Sequence, residues 1–482
     1  MISSLHKIVS NAAIKWPRNI ALIEDGRSIT YKRLNDLVRS FAGELIRNGL
    51  RRGQRVGILS TNSINSCAML FAISRAGGVA VPLNYTQDAA DISAAAIDAS
   101  MSSLYVGKAF EDKAGLANSA IRKMKAKKGQ DAKPKDLALI VYTSGTTTAG
   151  ALGVMLSNKN LISNAASVMK YAGLKGKDRI VCVLPLYYIY GLSLLLSHFL
   201  AGGTVILENR FMYPNVVLDV IEKYRATGFA GVSSHYAILL RGSNLKDRKL
   251  PYLKYFMQAG DAMPPSLTRE LLETFPGKRL FLMYGQTEAG PRLTFLDPPL
   301  AKIKPGSVGR PVPGVEIKIV DETDRVCGVG EEGEIAARGD NIMLGYWNNK
   351  RQTEKVLKKG WLYTGDIGYR DEDGDISVVG RRRDFLKIGG HRVSPLEIER
   401  LVMGLDGIME AAVVGVQDPI MGNRVKLVVS LMPHKKLDKE DIIKFCKRRL
   451  APYKAPVEIA ILKSMPKNDE GKIDKEALRV LC

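Results

Sequence analysis

The sequence predicts an α/β protein of more than one domain, and three observations carry that expectation. At 482 residues the chain is too long for one comfortable core, so at least one division is expected. Hydrophobic residues make up 46% and charged residues 25%, a balance that belongs to a globular chain and excludes predominant disorder. Apolar runs of strand length alternate with helical ones, as in Arg55–Leu59, Ile64–Ala76 and Gly78–Leu83, the pattern of parallel sheets covered by helices.

Val181–Leu207 carries no formal charge and is long enough to cross a bilayer. Pro185, Gly191, His198 and Gly202–Gly203 divide it, so it reads as a strand, a loop, a buried helix and a second strand. Met1–Pro17 mixes His6, Lys7, Asn11 and Lys15 with apolar residues and lacks the unbroken apolar core of a secretory signal. Cys67, Cys182, Cys327, Cys446 and Cys482 show neither metal-ligand spacing nor a disulfide framework, which fits a reducing, cytoplasmic setting. The net charge of +22 admits nucleic acid, an anionic surface or a polyphosphate ligand. Its basic residues are scattered, with clusters only at Arg122–Lys128 and Arg381–Arg383 and no nucleic-acid motif, so nucleic acid is not expected as a partner.

Lys-rich Ile121–Lys135 breaks the alternation and reads as an exposed connection before the strand Leu137–Tyr142. Directly after that strand comes Tyr142-Thr143-Ser144-Gly145-Thr146-Thr147-Thr148, whose small hydroxyl residues leave backbone N–H groups free to surround an oxyanion. An ordinary Ser/Thr-rich turn is the alternative. Met283-Tyr284-Gly285-Gln286-Thr287-Glu288 ends another apolar run, and Trp361-Leu362-Tyr363-Thr364-Gly365-Asp366 sets a carboxylate in a turn after an aromatic strand. Gly380-Arg381-Arg382-Arg383-Asp384-Phe385-Leu386-Lys387-Ile388-Gly389-Gly390 follows, and Pro466-Lys467-Asn468-Asp469-Glu470-Gly471-Lys472-Ile473 lies near the C-terminus.

These five segments, in this order, resemble the core motifs of the adenylate-forming superfamily of acyl-CoA synthetases, peptide-synthetase adenylation domains and luciferases. Ser74–Asn84 and Lys304–Pro311 extend the resemblance over nearly the whole chain. It implies a large N-terminal domain of β-sheets and helices, residues 1–382, that binds AMP and the acyl group. A small, mobile α+β domain, residues 383–482, would cover it and turn about a hinge at Arg383. The implied reaction activates a carboxylic acid with ATP and Mg2+ as an acyl adenylate, then transfers the acyl group to coenzyme A.

Joining a carboxylate to an α-phosphate brings two anions together, and their repulsion must be cancelled. Lys472 matches the family lysine that bridges both, and a cation about 4 Å away supplies roughly 4 kcal/mol at an effective dielectric near 20. Glu288 resembles the family's magnesium ligand, its hard oxygen suiting an ion that also bridges phosphates. Thr287 would contact the α-phosphate, Asp366 and Arg381 the ribose, and Tyr284, within Tyr284-Gly285-Gln286, the adenine. Thr143, Ser144, Gly145, Thr146 and Thr147 would cradle phosphates. Gly260, Asp261 and Ala262 would line the adenine pocket, and Phe229–Tyr236, with Ser233 and His235, the acyl pocket. Gly389 and Gly390 would let the thin pantetheine arm of coenzyme A approach the backbone. Ser394-Pro395-Leu396-Glu397 reads as a helix start closed by a capping box.

Two departures from the family stand out. The phosphate loop usually reads Thr-Ser-Gly-Thr-Thr-Gly-x-Pro-Lys-Gly, but Thr148 replaces the second glycine and the Pro-Lys pair is absent. The expectation is weaker ATP binding or recruitment of another basic residue. Tyr188 stands where many acyl-CoA synthetases have His, either shaping the acyl entrance or packing in the core. No aspartate that would hold an amino-acid ammonium is evident, which favours a fatty, aryl or other non-amino acid. Transfer to an acidic carrier protein, docked on a basic face, or to an amine is the second reading. A non-catalytic nucleotide- or acyl-binding homologue is the third.

Overall fold

Arg55–Leu59 is apolar enough to be buried on both faces, and the helix Ile64–Arg75 that follows buries every residue from Ser66 to Ile73. Ser63 caps that helix, exchanging hydrogen bonds with Ser66. The chain then returns as the parallel strand Val79–Pro82, the strand–helix–strand unit expected from the alternation. A computed structural model describes residues 2–125, 136–143, 152–468 and 471–481.

Three sheets result. The first has six strands, with Gly345–Tyr346, Gly153–Ser157, Leu137–Tyr142, Val79–Pro82, Arg55–Leu59 and Met101–Val106 in that order. The second has fourteen strands, thirteen in one path and Leu357–Lys358 paired beside Trp361–Arg370. Six of its strands are parallel neighbours: Ile20–Glu24, Thr204–Leu207, Arg179–Cys182, Gly228–Gly231, Tyr255–Gln258 and Arg279–Tyr284. From there it continues antiparallel through Thr294–Leu296, Ser307–Pro311, Ile376–Arg381 and Trp361–Arg370. The largest core draws on both sheets and on the helices packed against them, with Val56 and Leu139 from one sheet, Leu22 and Val205 from the other. Within it the uncharged stretch Val181–Leu207 is a strand to Cys182, the buried helix Ile189–Ala201 and the strand Thr204–Leu207, as expected. No helix among the described residues is long and apolar enough to cross a membrane.

The third sheet gathers Leu386–Ile388, His391–Val393, Ile408–Asp418, Gly422–Leu431 and Glu458–Leu462. Helices Pro395–Val402 and Lys439–Lys447 cover one face, and Leu478 of the helix Lys475–Leu481 packs on the other. The chain passes from the second sheet to the third between Arg381 and Leu386, a stretch in which Arg383 is exposed beside Asp384.

Three expectations need correction. Ile121–Lys125 is not a connection but the end of the helix Glu111–Lys125, where Ile121 is buried. Asp366 lies within the strand Trp361–Arg370 and not in a turn after it. Ser394 does precede a helix with Pro395 first, but its hydroxyl donates to the Val379 carbonyl, and Glu397 pairs with Lys454. The contact to Val379 ties the third sheet's first helix to the second sheet, a tertiary use of a local capping residue.

Candidate active site

Parallel strands in register deliver their carboxyl ends to one place. Gly231 pairs with Gln258, and Gln258 with Leu282, so Val232–His235, Ala259–Ala262 and Tyr284–Glu288 emerge side by side, where open α/β sheets bind ligands. A cavity of about 400 Å³ opens there, lined by Ser233, Gly260, Asp261, Ala262, Tyr284, Gly285, Asp366, Arg381 and Lys472.

Asp366 is aimed by a β-bulge. The pairing with the strand Gly333–Gly339 slips beside it, and Gly365 takes the left-handed φ of +74° that the kink needs. Tyr284 donates its hydroxyl to Asp366 Oδ2 at 2.6 Å, and Arg381, its cross-strand partner, reaches Oδ1 at 3.1 Å. Burial, reinforced by that carboxylate, raises the Tyr284 phenol well above its ordinary value and keeps it a donor. The sequence reading placed these three residues around one nucleoside, and the fold joins them directly.

Asp261 serves a different purpose. Its Oδ1 accepts the Ser233 N–H and hydroxyl and the Gln258 amide, all at 2.9 Å, so Asp261 and Ser233 pin two strand ends together. Gly260, at φ +102°, has no room for a side chain: a Cβ would lie 2.8 Å from the Tyr188 hydroxyl and 3.2 Å from Lys472 Cε.

Lys472 crosses to this point from the third sheet's side of the molecule. Its hairpin is closed by the Lys467–Ile473 bridge and by Asn468, which accepts the Lys472 N–H and donates to the Lys472 carbonyl. Ser234 donates its hydroxyl to the Gly471 carbonyl at 2.5 Å, and Lys472 Nζ lies 5.0 Å from the Tyr188 ring. Beneath the hairpin, His235 Nε2 would be 3.0 Å from a Cβ on Gly471. Burial, with the nearby Lys467 cation, pushes His235 down to about 3, so it is neutral; its Nδ1 accepts the Val232 N–H. His235 thus supports the hairpin and does not line the cavity, unlike the acyl-pocket place expected for it.

Thr287 and Glu288 form a short 3-10 turn just past Tyr284 and Gly285 and do not line the cavity. Glu288 Oε1 accepts the Tyr346 hydroxyl at 2.9 Å. Tyr346 belongs to the strand that pairs with Val154 and Met155, so Glu288 is carried beside the strand that closes the phosphate segment. At the other end of that segment, the Thr143 N–H donates to the Leu152 carbonyl at 3.1 Å. Ser144, Gly145, Thr146, Thr147 and Thr148 lie outside the described residues. Gly389 and Gly390, at φ +53° and +81°, turn between the two short strands of the third sheet, exposed and away from the cavity.

Three residues escaped the sequence reading. Ser234 fell inside a marked stretch, but nothing local distinguished it. Tyr346 lies 58 residues from its partner Glu288 with no pattern joining them. Arg292 lies just beyond the marked motif, after Ala289, Gly290 and Pro291, and is buried at 1% exposure, its guanidinium 4.1 Å from the centre of the Tyr190 ring. Burying a guanidinium costs several kcal/mol unless it is paired, whereas a cation–π contact returns roughly 2 kcal/mol at best.

The chain is similar to known proteins over nearly its whole length. Residues 9–347 match the model of the AMP-binding enzyme family, and residues 397–472 match that of the AMP-binding enzyme C-terminal domain. The chain is 31% identical to a long-chain-fatty-acid–CoA ligase of Salmonella typhimurium over 99% of its own length and 94% of the relative's. It is 32% identical to a feruloyl-CoA synthase of an Amycolatopsis species over 96% of both chains. Its fold matches the o-succinylbenzoate CoA synthetase of Bacillus subtilis, solved with its acyl-adenylate intermediate, at a TM-score of 0.85 and 28% identity, covering 98% and 97% of the two chains. That synthetase has also been solved with ATP and a magnesium ion.

Proposed function

The chain belongs to the AMP-binding enzyme family, and on that footing we propose that it is an AMP-forming acyl-CoA synthetase, which activates a carboxylic acid with ATP and passes the acyl group to coenzyme A. The observation that carries this reading is Lys472, delivered between Tyr188 and Gly260 at the mouth of a cavity walled by Asp366 and Arg381.

Asp366 accepts from the ribose hydroxyls, its carboxylate held on both oxygens by Tyr284 and Arg381 so that it cannot turn away. Lys472 sits between the acid's carboxylate and the α-phosphate and offsets their repulsion. The hairpin that carries its ammonium is held by Ser234 at the Gly471 carbonyl, so little reorganisation is needed as the C–O–P link forms and pyrophosphate departs. Glu288 fits a hard cation: Tyr346 occupies one carboxylate oxygen and orients the other. Magnesium bound there supplies charge neutralisation for the leaving pyrophosphate. The thiol step requires Lys472 to withdraw and the Gly389–Gly390 turn to arrive, with residues 383–482 rotating about Arg383. The open surroundings of Gly390 suit a thin ligand arm.

The test is acid-dependent exchange of labelled pyrophosphate into ATP across a broad acid panel. It is followed by AMP release with coenzyme A, a phosphopantetheinyl carrier or an amine as acceptor. Exchange with turnover only on coenzyme A is the expected result; exchange with no acid at all removes the reading. A requirement for ATP in the low-micromolar range would show that the altered phosphate segment costs no affinity.

A further inference from the structure

The helix Ser233–Arg241 meets residues 383–482 at both of its ends. Ser234, in its first turn, holds the Gly471 carbonyl, and Arg241, its last residue, reaches the start of the strand Ile408–Asp418. There Arg241 Nη1 donates to the carbonyls of Ile408 and Met409, at 2.9 and 3.3 Å. Resting on the acyl-CoA synthetase reading, we propose that Arg241 is a positioning residue for the adenylation step. It fixes residues 383–482 in the orientation that brings Lys472 to the cavity, and it releases them for the thiol step.

Both sides of this contact are prepared. The ladder between Ile408–Asp418 and Gly422–Leu431 shifts register between Ile408 and Glu410. A shift of this kind leaves backbone groups without a ladder partner, and a charged donor is the stronger kind of replacement. On the other side, Arg241 Nε donates to Glu270 Oε2 at 2.9 Å, and the arginine side chain is only 6% exposed. A buried guanidinium is tolerated where a carboxylate pairs it. The pairing also sets the plane of the rigid fork, so that Nη1 is aimed at the strand before the strand arrives. Glu270 belongs to the helix Pro265–Thr274, on the same side of the cleft as Arg241, so the pair stays assembled when the strand leaves. From that helix Ser266 adds a hydroxyl to the Met403 carbonyl at 2.8 Å.

The gripped strand leads directly to the reacting lysine. Glu410 follows Met409 and is ion-paired with Lys467, and Lys467 forms with Ile473 the bridge that closes the Lys472 hairpin. Met409 itself lines the cavity. Arg241 lies seven positions after Ser234, about 10 Å along a helix that rises 1.5 Å per residue. A single contact at Gly471 would let the hairpin and its sheet pivot about that point; a second at this distance removes the pivot. The acceptors at Gly471, Ile408, Met409 and Met403 are all backbone carbonyls, which is why no side chain pattern marks the contact in the sequence.

The experiment measures both half-reactions in wild type, Arg241→Met and Arg241→Lys. One assay is acid-dependent exchange of labelled pyrophosphate into ATP; the other is thioester formation from the supplied acyl adenylate of the acid that exchanges best. Arg241→Met should lower exchange about tenfold or more, the loss expected for a hydrogen bond from a charged donor, while thioester formation stays near wild type. Arg241→Lys, which can still reach one carbonyl, should keep part of the exchange. Glu270 retains Lys246 at 3.1 Å in either variant, and thermal unfolding checks that each is folded. If Arg241→Met does not fold, Arg241→Lys decides alone: loss confined to exchange supports the assignment, and unchanged exchange or an equal loss in both assays overturns it. For Arg241→Met the same two results overturn it while leaving the synthetase reading intact. A wild type that exchanges pyrophosphate with none of the acids removes the reading on which the assignment rests.

Discussion

Two loops of the C-terminal part of the chain differ sharply in their surroundings. The hairpin carrying Lys472 is gripped by Ser234, rests on neutral His235 and reaches Tyr188. The Gly389–Gly390 turn is exposed, and its one backbone tie is to Met421 of its own sheet. Both loops belong to one small sheet with its helices, yet only one of them is at the cleft. On the function proposed above, the contrast means that the two loops serve different half-reactions from different faces, with contacts across the cleft selecting the one presented.

The comparison breaks most sharply at Lys472. Lys472→Ala should lower acid-dependent pyrophosphate exchange by about three decades, the rate equivalent of roughly 4 kcal/mol. Thioester formation from a supplied acyl adenylate should survive. Equal losses in both assays would mean that the two loops do not divide the work.

The support beneath the hairpin responds to acid. Burial holds His235 down to about 3 and His198 down to about 4, against an ordinary value near 6.5. The unfolded chain therefore takes up more protons below pH 6.5, so this stability is fully present above 6.5 and is lost as pH falls toward those values. Each histidine contributes a slope of about 1.4 kcal/mol per pH unit in that window. Thermal unfolding should shift down between pH 7 and pH 5, and His235→Gln should flatten the dependence. A transition that does not move with pH would place His235 in water.

At the other loop, Gly390→Val should leave pyrophosphate exchange near wild type while thioester formation falls about tenfold. Nothing lies within 4 Å of its added Cβ, so the left-handed φ costs only about 1–2 kcal/mol and folding should survive. Exchange falling in parallel would contradict the separation of the two faces.

The smallest effect is expected at the latch. Ser234→Ala removes one hydrogen bond to the Gly471 carbonyl, worth about 1 kcal/mol, and should slow adenylation roughly fivefold without slowing thioester formation. No change in either half-reaction would show that the hairpin docks without it.

Much of the fold was readable in the chain. The pieces of Val181–Leu207 and the units around Arg55–Leu83 followed from apolar runs bounded by turn residues, because burial on both faces leaves a continuous signature. Local chemistry misled at Ser394, whose hydroxyl serves Val379 and not its own helix. It misled again at Asp366, where a bulge inside one long strand looks like a turn. In both places a partner distant in sequence outweighed the local preference.

The sequence by itself determined the family, through five ordered motifs whose resemblance implies the reaction class and marks Lys472, Glu288 and Asp366 as the groups proposed to perform it. Only the tertiary structure decided that Tyr284 and Arg381 share one carboxylate, that Tyr346 orients Glu288, that His235 is a support, and that Arg292 is buried behind the cavity. Those relations depend on strand register and on which domain face meets the cleft, and no periodicity along one chain encodes a distance between residues that meet only after folding.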